Sequence, residues 1–197
     1  MSLASTSIVA ELLPSSIGGV PMHPLMVHLP VVFVPLAFLG AILALAVKPW
    51  RSWTIPLTAV FAGIGLVGVQ VAIMSGESLE ELLGEESRAI ETHSQLAEQA
   101  RPFVFAFFVF AVLAAVAFHL VRREGDASQG QASGWAKALV PLLALSIVTG
   151  ALSTAWVYRT GHSGAKSAWA DAGKEKEKGE GGSDQGTTGE QGDDDGD

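Results

Sequence analysis

No cysteine occurs among the 197 residues. That absence excludes disulfides, thiolate nucleophiles, cysteine-held iron–sulfur clusters and covalent attachment of a c-type haem. Charge is also scarce, at 16% of residues, against about 25% in soluble domains. What charge there is leans acidic, with 20 Asp and Glu against 12 Lys and Arg. No basic patch of the kind that holds nucleic acid is present, so no nucleic-acid partner is expected. HExxH, a hydrolase triad signature and a phosphate-cradling glycine loop are missing too, and the sequence leans away from an enzyme. The opening stretch MSLASTSIVAELLPSSIGG lacks the positive region of a signal peptide. The first hydrophobic run is therefore expected to stay in the mature chain.

Apolar residues are what the chain has in abundance: 49% of the total, for a mean hydropathy of +0.37. They gather in four runs, at about 25–47, 53–74, 102–121 and 138–158. Each is near the ~20 residues needed to cross roughly 30 Å of hydrocarbon. None carries the polar stripe of a soluble helix. Trp50, Trp53, Trp135, Trp156 and Tyr158 fall at run ends, where amphipathic rings favour the membrane interface. The expected fold is all-α: an integral membrane four-helix bundle lying in the lipid bilayer. Residues 1–20 form an N-terminal segment, 21–173 the four-span domain, and 174–197 an acidic tail. That tail has almost no apolar side chain and reads as disordered.

The two shortest loops, between runs one and two and between runs three and four, carry Lys48, Arg51, Arg122, Arg123 and Lys137. By the positive-inside rule these loops face the cytoplasm and both termini are extracytoplasmic in the cell (inner) membrane. Arg159, Lys166, Lys174, Lys176 and Lys178 on the other side are spread along a longer segment. The stretch joining runs two and three, GESLEELLGEESRAIETHSQLAEQARP, reads as an amphipathic outer helical segment. Leu79, Leu82 and Leu83 recur at helical spacing, as do Ala89, His93, Leu96 and Ala100. Ser78 followed by Glu81 reads as a capping box, and Gly84 as the break before a longer helix entering run three. Small residues mark contact faces: Ser146, Gly150 and Thr154 on run four, Ala59 and Gly63 on run two. Gln70, a lone intramembrane amide, is expected to bond a neighbouring helix.

Five histidines are the remaining chemistry. His119 lies at the inner end of run three, beside Arg122, and reads as an interfacial side chain. His23, His28, His93 and His162 come from three separate segments and all fall on the outer side. At 1.5 Å per residue, His23 and His162 stand roughly 36 Å above the inner ends of their helices, His93 roughly 42 Å and His28 roughly 28 Å. His23 and His28 are about 140° apart around a helix and do not share a face. Pro24, Pro30 and Pro35 make the first run the least regular. Neutral imidazole is the commonest metal ligand, and two imidazoles on facing helices can hold a b-type haem. The four histidines are thus candidate ligands of haem b or a divalent metal. The plainer reading has them as polar residues bonding locally at a membrane surface.

The run His23-Pro24-Leu25-Met26-Val27-His28-Leu29-Pro30 resembles the opening motif of a bacterial membrane family, domain of unknown function 2231. The resemblance implies a four-span protein with a histidine ahead of the third span, which His93 matches. It also implies a Gly-His-x-Gly-Gly element after the fourth span. Gly161-His162-Ser163-Gly164-Ala165 matches that element except at Ala165. The family often continues with an aliphatic-Tyr step and a further histidine; here Ser167-Ala168-Trp169 stands instead, with Asp171 near the histidine position. A site needing that last histidine would be altered. Relatives joined to cytochrome c-like domains imply a redox setting. The sequence thus leads to a haem- or metal-binding electron-transfer component with a redox protein partner. The alternatives are a non-catalytic scaffold or assembly protein with structural histidines and, less favoured for want of intramembrane ionisable groups, a small transporter.

Overall fold

The computed structural model describes residues 16–83, 88–125 and 134–180. A two-residue strand pair, β1 (Ser16–Ile17) and β2 (Val20–Pro21), turns through Gly18 and Gly19, both at positive φ. Five helices follow: α1 (Met22–Met26), α2 (His28–Ala46), α3 (Arg51–Leu83), α4 (Arg88–Gly125) and α5 (Gly134–Glu180). A 3-10 turn at Lys48–Trp50 joins α2 to α3. The α1 and α2 segments act as one span, Met22–Ala46, interrupted at Val27. Pro30 has no N–H to give to Met26, so the ladder breaks there. The flanking bonds Val27 N–H to His23 O and Val31 N–H to Val27 O bridge the gap at 3.1 and 3.4 Å.

Each helix packs on its neighbours in chain order, and α5 closes the ring against α2, giving an up-and-down four-helix bundle. Its interior is stacked in three layers. Ala44, Ile55, Ala114, Ala117, Leu139 and Leu143 fill the end nearest the short loops. Ala37, Ala41, Ala62, Phe107 and Ala111 fill the middle, and Val34, Val69, Val104 and Val157 fill the far end. The recurring alanines let the backbones approach closely, as helices do where no water drives them together. Gly150 lies under Phe107 and Phe38, and Gly63 under Phe108, so both small-residue faces are contact faces. Buried hydroxyls at Thr54, Thr58, Ser146 and Ser153 each donate to the carbonyl four residues earlier, leaving none to face hydrocarbon unbonded. The outside is apolar: Val60, Val67, Phe105, Val148 and Leu152 are all exposed.

Three expectations shift. Ser78 does not cap a new helix. It lies within α3, and its hydroxyl donates back to Met74 O at 3.2 Å. The second span therefore runs on into the amphipathic segment without a break, because an existing helix extends without a fresh nucleus. Gly84 lies outside the described residues, and the next helix enters the third span continuously from Arg88. Helix α5 continues to Glu180, seven residues past the boundary that composition placed at 173. Lys and Glu are good helix formers, so extension costs little there; residues 181–197 lie outside the described set. Gln70, finally, lines a cavity of about 810 Å³ between α3 and α4 with Glu98 and Arg101.

Candidate functional site: a pair of facing imidazoles

Two of the four candidate histidines meet at one end of the bundle. His23, on α1, and His93, on the first turns of α4, lie with ring centroids 6.0 Å apart and planes at 90°. Both rings are half-buried. His23 Nδ1–H donates to Ala72 O on α3 at 2.9 Å, with Ser75 Oγ at 3.4 Å. His93 Nδ1–H donates to Thr160 O on α5 at 3.0 Å, with Ser163 Oγ at 3.1 Å. A carbonyl can only accept, so each Nδ1 carries a proton.

The two seats are built alike. Ser75 donates to Ala72 O, and Ser163 to Thr160 O, each three residues back on its helix. The next residue is glycine in both cases. Gly76 lies against His23, where a Cβ would stand 3.2 Å from Cε1 and Nδ1. Gly164 lies against His93, where a Cβ would stand 2.9 Å from Cε1. One device is thus used twice: a histidine in the first turns of one helix, and a carbonyl, serine and glycine on the helix that it packs against.

The remaining histidines are placed elsewhere. His28 is exposed, and its Nδ1–H donates to Pro24 O at 2.7 Å. His162 is exposed and stacks on Tyr158, centroids 6.0 Å apart and planes at 8°. It adjoins Ser163 in sequence, but one residue is about 100° of helix rotation, enough to carry it off the inward face. His119 is exposed at the opposite end, as expected of an interfacial side chain. Among the described residues, no three of His, Asp and Glu converge as a metal-ligating group. The sequence reading missed Ser75, Gly76, Ser163 and Gly164 as partners, although a Ser-Gly step recurs in the chain, at 75–76, 133–134 and 163–164.

Four apolar helices, each 25 residues or more, closed into a bundle with an apolar exterior, define a multi-pass helical membrane protein. The family described as "Predicted membrane protein (DUF2231)" matches residues 19–177, and the chain belongs to it. No curated protein and no solved structure matches the chain.

Proposed function

We propose that the chain is a membrane-embedded electron-transfer component that holds a b-type haem or a redox-active divalent metal between His23 and His93. The observation that carries this reading is the pair of imidazoles, 6.0 Å apart between centroids and each tied by Nδ1–H to a backbone carbonyl. Ligating histidines commonly donate their other ring N–H in this way, which fixes tautomer and orientation. Spacing supports it as well. With metal–nitrogen bonds of about 2.0–2.1 Å, two imidazoles on one metal put their centroids roughly 5–6.5 Å apart. The observed 6.0 Å falls within that range. Such a group supplies single-electron chemistry when bound. The protein's own part is to hold both rings at fixed orientation and to leave the remaining coordination positions to other ligands. His28 and His162 lie at the exposed rim of the same end and complete the four-histidine candidate set. The basic short loops support an orientation with this end, and both termini, extracytoplasmic, where a redox protein partner would reach it.

A second reading has its own observation. Each hydrogen bond also ties one helix to the next, His23 to α3 and His93 to α5, which is what structural clips in a scaffold would do. The two readings separate on the protein purified in mild detergent. The electron-transfer reading expects a Soret band with redox-sensitive visible bands, or near-stoichiometric transition metal by elemental analysis. A chain free of both, and taking up neither on reconstitution, would leave the clip reading standing.

A further inference from the structure

At the opposite end of the bundle, α3 and α4 line a second, open cavity of about 430 Å³. Its rim is cationic. Arg122, Arg123 and His119 come from the last turns of α4, and Ser52 from the first turn of α3. Pro56, Ala115 and Phe118 give it an apolar side, and the Arg122 guanidinium lies over the Phe118 ring, 5.8 Å from the centroid. Ser52 lies in the first turn of a 33-residue helix, at its positive dipole end. The other cation nearby, Arg51, is occupied: its Nε–H donates to Ala44 O at 2.8 Å, closing the end of α2. Among the described residues only one acid, Glu124, belongs to this end, and its Oε2 is shut away from solvent without a hydrogen-bond partner. No described carboxylate pairs with Arg122 or Arg123.

We infer that this cavity is a binding site for the headgroup of an anionic phospholipid. Three features select that occupant. Two guanidiniums, the Ser52 hydroxyl and the first turn of a helix line the same cavity, a donor set that suits a phosphodiester. The rest of the lining, Pro56, Ala115 and Phe118, is apolar, which suits an occupant that carries hydrocarbon as well as charge. Trp50 and Trp53, exposed and packed ring on ring at 5.5 Å, mark the same level as the interface where headgroups lie. Basic pockets between transmembrane helices recognise anionic headgroups in this manner. The site is far from the imidazole pair, and the inference stands whether or not that pair holds a cofactor.

The full chain in mild detergent, titrated with phosphatidylglycerol or phosphatidylcholine and read by native mass spectrometry, tests it. The expected result is one phosphatidylglycerol retained per chain and no comparable phosphatidylcholine adduct. Each arginine near the surface contributes roughly fivefold in affinity, so Arg122→Gln with Arg123→Gln should weaken retention by roughly 25-fold. Lys48→Gln with Lys137→Gln, which removes the same charge from the same end outside the cavity, should change it by less than about twofold. Should the double arginine variant fail to purify as a monodisperse species, Ser52→Ala with His119→Gln gives a milder loss on the same site. Equal retention of the two lipids, or an equal loss in the lysine variant, would overturn the inference. So would displacement of the lipid by millimolar inorganic phosphate, which would make this a site for free anions.

Discussion

Replacing Gly164 by alanine sets two effects of known size against each other. In an exposed helix, glycine to alanine is worth about 1 kcal/mol of stability. At Gly161, where a Cβ would meet nothing within 4 Å, Gly161→Ala should realise that gain. At Gly164, three residues further along α5, the Cβ would stand 2.9 Å from His93 Cε1 and 3.1 Å from Nδ1. The ring would have to retreat by about 0.5 Å to reach ordinary contact, which begins at 3.4 Å. Its 3.0 Å bond to Thr160 O would then stretch toward 3.5 Å, beyond the usual ~2.7–3.2 Å of an N–H···O bond. Losing that bond costs about 1 kcal/mol, and overpacking adds typically ~1–3 kcal/mol. Gly164→Ala should therefore be less stable than wild type, and less stable than Gly161→Ala by roughly 2–4 kcal/mol. Unfolding of the three proteins in one detergent, followed by circular dichroism, measures the difference. Equal stabilisation by both alanines would refute the close seating of His93 on α5.

The helix contacts give further expectations. Gly68→Val should prevent normal packing of α2 on α3, since its Cβ would meet Leu29 Cβ at 2.6 Å and Pro30 Cδ at 2.8 Å; loss of the monodisperse peak on size-exclusion chromatography is the readout. Phe107→Ala, at a fully buried ring in the middle layer, should cost about 3–5 kcal/mol in the same unfolding assay. Truncation after Glu180 removes no apolar side chain and should leave the unfolding transition in place. Reporter fusions after Asp197 and between residues 125 and 134 should report opposite sides of the membrane, with the loop inside; a cytoplasmic C-terminus would reverse the proposed orientation.

The four spans were legible because a membrane helix must be apolar all round and long enough, and both properties are plain in composition. Their ends were less so. Nothing local stops α3 at Met74: Ser78 and Glu81 fit the interior of a continuing helix as well as its start, and only the neighbouring turns decide. At the imidazole pair, counting residues along straight helices set His23 level with His162 and His93 about one turn higher, so it favoured His23 with His162 first and with His93 only second. It could not give rotational phase. The 140° between His23 and His28 meant that one at most faces inward, but which one depends on where α3 offers a small face, at Ser75 and Gly76. Likewise His162 was level with the pair yet lies one residue off the face that Ser163 and Gly164 present to His93. Packing between helices fixed these choices, and a single helix does not encode it by periodicity alone.

The central claim is that His23 and His93 jointly ligate one group. It is tested most directly by the haem and metal content per chain of His23→Ala, His93→Ala, His28→Ala and His162→Ala, prepared alongside wild type. The account predicts that either of the first two abolishes bound cofactor, while the exposed rings at His28 and His162 can be lost with content essentially retained. Equal content in all four, or loss only in His28→Ala or His162→Ala, would contradict it.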